Sequence, residues 1–148
     1  MKILKTLLIT MVIYFAASPA FAEGVGFVDY KKVQDNFPYA QSAVIEVDNK
    51  ALELRQFIVD KEKQYKSLDT PLKQKNFEDK TKKEFEAKQS AYMNFKLKKE
   101  EEVYKKIQAA TKQVLVEQKL DVIVDYSVVF VGGLDVTDLV IAKLKNVK

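Results

Sequence analysis

The chain has 148 residues, 25 basic and 21 acidic side chains, 47% hydrophobic content, and no cysteine or histidine. These two absences remove the thiol nucleophile, the commonest general base, the usual transition-metal ligands and any disulfide framework. A catalyst is therefore not expected, and the fold has to be held by packing alone.

Residues 1–22 have the layout of a secretion signal. Lys2 and Lys5 precede an apolar run from Leu7 to Ala17, and Ala20-Phe21-Ala22 is a small-x-small cleavage site. An apolar run of about eleven residues is well short of the roughly twenty needed to span hydrocarbon, so cleavage near Ala22 and export of a soluble product are expected. A lipid-anchored product would need a cysteine at the processing site, so no lipid tether is expected.

Val25 to Asp29 has the length and β-branched content of a short strand, and Tyr30 to Phe37 places Tyr30, Val33, Gln34 and Phe37 on one helical face. After Pro38, the apolar positions Ala40, Val44, Val47, Ala51, Leu54 and Ile58 follow steps of four and three, the seam of a coiled coil. Tyr65 and Leu68 resume this seam after Lys61 interrupts it. Ser67 to Pro71 combines turn-forming residues with a proline suited to a first helical turn, so the chain should reverse there. Leu72 to Gln118 contains no glycine or proline and predicts a single helix about 70 Å long. This helix is longer than its partner, so its last third, with Val103, Ile107, Ala110 and Val114, should run on into the body. There it should meet two strands between Leu120 and Val131, separated by Asp125-Tyr126-Ser127, with Gly132-Gly133 ending the second. Asp135 suits the start of a closing helix with Val136, Val140, Leu144 and Val147 inward and Asp138 near its positive end.

Charge divides the chain. Lys61 to Lys112 carries fifteen lysines against nine acidic residues, a net of +6, whereas the rest of the product expected after cleavage carries a net of −4. A basic arm can steer acidic polypeptides or anionic headgroups within roughly 8 to 10 Å in physiological salt, and Lys75, Lys80, Lys82 and Lys83 are the candidates for electrostatic capture or lipid contact. A solvated helix face is the plainer account of the same lysines. Apolar holding falls to Phe57, Ile58, Tyr65, Leu68, Phe77, Phe85, Tyr92 and Phe95. Aromatics from Phe77 to Leu97 recur too widely for a full seam, and lysines such as Lys88 and Lys99 fill positions between them, so loose packing is expected in this stretch. Helical spacing alone would make about half of these aromatics packing residues only.

Other chemistry is poorly supported. Asp121, Asp125, Asp135 and Asp138 lie close together in sequence, but without a repeated D-x-D-x-D-G loop they read as turn and cap residues, so no metal or cofactor is expected. Gly132-Gly133 lacks the pattern of a nucleotide-binding loop. A sequence pI near 9.0 raises nucleic-acid binding, but Arg55 is the single arginine among 25 basic residues, and base readout favours arginine, so no specific nucleic acid is expected.

The order of these segments, from VGFVDYKKVQDNFP through a charged hairpin to LDVIVDYSVVFVGGLDVTDLVIAKLK, resembles the Skp/OmpH-like family of periplasmic chaperones. The resemblance implies an α+β fold: a small β-body of short strands and helices, with a long antiparallel coiled-coil hairpin as an arm, assembling as a trimer with tentacles. Residues 23–38 and 119–148 would form the body and trimerisation part, and 39–118 the arm. Val25, Phe27, Val122, Val124, Val129 and Val131 are the candidates for the body and trimer core. The implied function is an ATP-independent periplasmic holdase for unfolded outer-membrane proteins, with lipopolysaccharide or anionic phospholipid as further candidate contacts. The alternative is a structural coiled-coil spacer of the envelope that binds no client.

Overall fold

A computed structural model describes residues 24–145, so the expected signal segment and Val147 lie outside the described residues. The elements in chain order are β1 (Val25–Val28), α1 (Tyr30–Asp35), α2 (Pro38–Lys66), α3 (Pro71–Glu117), β2 (Val122–Asp125), β3 (Leu134–Asp135) and α4 (Thr137–Leu144). A single 3₁₀ turn, Tyr126–Val128, follows β2.

Each helix boundary has a local cause. Asp29 caps α1, its carboxylate accepting from the Lys32 N–H at 2.8 Å. Pro38 and Pro71 begin α2 and α3, where the missing proline N–H costs no intrahelical bond. Thr70 caps α3 by accepting from the Lys73 N–H. At the other end, Lys119 takes a left-handed conformation with φ of 53°. The Leu120 N–H then donates to Leu115 O at 3.0 Å and the Lys119 N–H to Val116 O at 3.2 Å, a Schellman closure that satisfies the last carbonyls of α3.

The sheet has the order β2-β1-β3, and both pairings are parallel. Phe27 pairs with Val124 on one side and Asp135 on the other. The whole helical arm is therefore an insertion in the crossover from β1 to β2. Gly26 and Val28 point inward to the helices. A side chain at Gly26 would come within 2.7 Å of Leu120 Cδ1, so glycine lets the α3–β2 link cross closely over the strand. On the outer face Phe27 packs against Tyr126, with ring centres 5.7 Å apart.

The expected second strand around Val128 to Val131 is corrected by this topology. β1 has two edges, which β2 and β3 occupy, and the apolar run between them becomes the link crossing from one edge to the other. The Asp125 carboxylate accepts from the Ser127 N–H and hydroxyl, which turns the chain out of the sheet. Val128 and Val131 are then exposed and Phe130 is fully so, at 101%. The strand comes after Gly132 and Gly133, which both take positive φ.

The core gathers Val28, Val33 and Phe37 with Ala40 and Ala43 of α2, Val103, Ile107, Ala110 and Val114 of α3, and Val136, Val140 and Leu144 around α4. Val103, Ile107, Ala110 and Val114, in the last four turns of α3, are part of this core. Among the proposed body candidates, Val25, Val122 and Val131 are exposed on the single chain, and Phe27, Val124 and Val129 are partly buried. The core lies on the helical side of the sheet because the inward strand positions are Gly26 and Val28. The buried Thr137 hydroxyl accepts from the Asp29 N–H at 3.0 Å, and Asp138 pairs with Lys32 at 2.9 Å, tying α4 to the start of α1.

Candidate functional site

The pairing of α2 with α3 follows a constant register. Lys61 meets Glu84 at 2.6 Å, Glu46 meets Lys99 at 2.7 Å, and the Lys88 ammonium lies 5.2 Å from the Phe57 ring centre, so partner numbers fall as α2 rises. This is an antiparallel hairpin. Its inward line along α2 runs through Ala40, Ala43, Val47, Ala51, Leu54, Phe57, Lys61, Tyr65 and Leu68. Val44 and Ile58, expected in the seam, are exposed instead. Ala40, Val47, Leu54, Lys61 and Leu68 keep a seven-residue step, and the second line of contacts falls one position earlier than expected, on Ala43 and Phe57.

The middle of the hairpin is also more fully packed than expected. Lys61 and Lys99 are seam residues with side chains only 21% and 17% exposed. The Lys61 ammonium sits 5.1 Å from the Phe57 ring centre and 5.6 Å from that of Phe77 while pairing with Glu84. Lys99 repeats the arrangement with Glu46, Phe95 at 5.6 Å and Tyr39 at 6.0 Å. Each ammonium therefore has a carboxylate and aromatic faces around it in a partly exposed setting, where cation–π attraction is modest. Lys61 holds the Glu84 carboxyl below the usual range, and the hydrogen bond from the Tyr39 hydroxyl does the same for Glu102. These polar rungs join the two helices alongside the aliphatic seam of Ala40, Ala43, Val47, Ala51 and Leu54.

Toward the turn the rungs leave a groove of about 480 Å³ on the flank of the arm. Phe57, Ile58 and Tyr65 of α2 and Phe77 and Phe85 of α3 supply its apolar wall, so five of the eight sequence candidates share one surface. Tyr65 and Phe77 have ring centres 6.4 Å apart. A hydrogen bond to Glu78 pushes the Tyr65 phenol up from its ordinary value. Glu62, Lys66, Glu78 and Lys82 rim the opening, and Lys61 and Thr81 lie between the apolar residues. Tyr92 and Phe95 belong to a separate groove of about 350 Å³ further down the arm, with Leu54, Ala91 and Lys88. Leu68 is partly buried at the turn.

Of the capture candidates, Lys75, Lys80, Lys82 and Lys83 are all exposed on α3. Lys82 borders the tip groove, and Lys80 approaches Glu84 at 3.9 Å. In the body, Asp125 and Asp135 are engaged locally: Asp135 accepts from the Thr137 N–H at 2.9 Å, and the Ser127 and Thr137 hydrogen bonds lower both acids from their ordinary values. Sequence reasoning missed Thr81 and Glu84 as groove and seam residues. Counting 3.6 residues per turn from Phe77 reaches 81, 84 and 88, so their positions were readable although their polar character hid them.

Fold and groove together define an α+β protein with a body and an arm, the arm carrying an apolar groove near its turn. The chain belongs to the OmpH-like outer membrane protein family, whose sequence model matches residues 24–144. It is also similar to a solved structure from Caulobacter crescentus CB15 described as an outer membrane chaperone (OmpH-like), with 18% identity, 86% of each chain covered and a TM-score of 0.40. No curated protein matches the sequence.

Proposed function

We propose that the protein is an ATP-independent holding chaperone of the periplasm, acting without catalysis, which shields unfolded outer-membrane proteins between the helical arms of a homotrimer until they reach the membrane. Membership of the OmpH-like family supports this reading. The observation that carries it is the tip groove, where Phe57, Ile58, Tyr65, Phe77 and Phe85 offer apolar contact beneath a rim of both charges. Such a surface suits polypeptides that vary in sequence but share apolar side chains. Steering is assigned to the exposed lysines 75, 80, 82 and 83, whose field also suits anionic headgroups such as those of lipopolysaccharide.

The number three comes from the family resemblance, and association itself is supported by the outer face of the sheet. A parallel sheet is normally covered on both faces, yet here Val25, Val122 and Tyr126 are exposed beside Val128, Phe130 and Val131 of the link. Assembly through this face would cover them and close the two open edges.

The direct test dilutes a denatured β-barrel protein into buffer with and without the purified protein, following light scattering and complex stoichiometry. Suppressed scattering and a defined complex of three chains per client are expected. Unchanged scattering at excess protein would reject the function.

A further inference from the structure

We propose that the Thr81 hydroxyl is the specificity contact of the tip groove, hydrogen-bonding a backbone amide of an extended polypeptide whose aromatic side chain lies among Phe57, Tyr65, Phe77 and Phe85. The inference rests on the client-binding reading above and adds what the groove selects. Thr81 lines the groove, and its Oγ1 is shielded from solvent with no hydrogen-bond partner among the described residues. A helical threonine ordinarily returns its hydroxyl to the carbonyl four residues earlier, as Thr111 does to Ile107 O at 2.9 Å. Leaving a desolvated hydroxyl unpaired is unfavourable, and a buried polar atom without a partner calls for an explanation. An incoming amide provides one once the hydroxyl turns about χ1 from its shielded position to the groove, a step between the two rotamers that a helical threonine allows.

The nature of the occupant follows from the groove's charge and length. Lys61 and Glu84 are committed to each other at 2.6 Å, with the ammonium also over two rings, so the polar function left in the floor is the neutral hydroxyl. The rim carries Glu62 and Glu78 against Lys66 and Lys82, two of each sign. A neutral hydroxyl under a balanced rim fits an uncharged peptide backbone better than a phosphate or a carboxylate. The lining residues span about 14 Å of helix, the length of roughly four extended residues. The hydroxyl can donate to a carbonyl or accept from an N–H, so it reads the presence of a main chain and tolerates any sequence around the aromatic anchor.

The test uses the purified protein and two blocked peptides, acetyl-Ser-Gly-Phe-Gly-Ser-amide and its counterpart with glycine at the centre, titrated by NMR. Binding of the first and not the second is expected. Thr81→Val should raise the thermal midpoint, since it removes an unpaired polar atom, and yet weaken the peptide by about five- to tenfold, while Thr81→Ser keeps affinity within about twofold. Opposite movement of stability and affinity is what a purely structural role would not produce. Unchanged or tighter binding by Thr81→Val overturns the inference alone. A wild-type protein that suppresses aggregation but binds neither peptide also overturns it while the chaperone reading stands; failure in both assays removes both. Self-association that Thr81→Val abolishes would assign the groove to a second copy and overturn the inference as well.

Discussion

One helix serves two kinds of packing. From Val103 to Val114, α3 presents Val103, Ile107, Ala110 and Val114 to the body, all buried among aliphatics and small residues of α1, α2 and α4. From Phe77 to Lys99 the same helix meets α2 through Lys61–Glu84, Lys99–Glu46 and aromatic faces, every contact partly open to water. The first region gains stability by removing apolar surface from solvent, while the second keeps apolar surface near solvent and secures geometry with paired charges. The body thus anchors the hairpin, and the arm retains side chains that another polypeptide can reach.

The sharpest way to break this contrast is to truncate one aromatic in each region. Phe37→Ala removes a fully buried ring and should destabilise the protein by about 3–5 kcal/mol in denaturant unfolding. Phe77→Ala removes a half-buried ring and should cost only about 1–2 kcal/mol, with a larger effect on client binding. Equal costs would mean that the arm has a core of the same kind as the body. A smaller effect sharpens where the body ends: Lys119→Gly relieves a left-handed lysine at the close of α3 and should stabilise by about 1 kcal/mol. No gain would show that the Schellman turn is not under strain.

Smallest is the pH response of the rungs. Folding lowers the pKa of Glu84 and Glu102, so near pH 4 the folded protein binds fewer protons than the unfolded chain. Their contribution is complete above the ordinary glutamate value of about 4.3 and is lost as pH falls through the folded values below it. The effect is modest because these carboxylates face solvent and are screened. Unfolding midpoints measured from pH 6 to 3 should fall at the acidic end, and Glu84→Gln should flatten that fall. An unaltered acid limb in Glu84→Gln would remove this rung from the account.

Most of the arm was legible before the fold was known. Pro71 and Thr70 mark the reversal, the unbroken run to Gln118 marks α3, and the excess length of that run predicts that Val114 reaches the body. The errors have specific causes. Val44 and Ile58 were placed inward because they are more apolar than Ala43 and about as apolar as Phe57, the neighbours that take those contacts. Val128 to Val131 look like a strand because β-branched residues usually do, but the chain spends them on crossing from β2 to the far side of β1. Lys61 looked like an interruption, whereas Glu84 and two rings from across the hairpin make it part of the seam.

The sequence by itself determined where helices begin and end and which segments are apolar, because capping, proline geometry and helical periodicity act within a few residues. Only the tertiary structure decided which strands pair, that lysines stand inside the hairpin, and that Thr81 lies unpaired in an aromatic groove. Those outcomes depend on partners distant in the chain, and a residue's own neighbours carry no record of them.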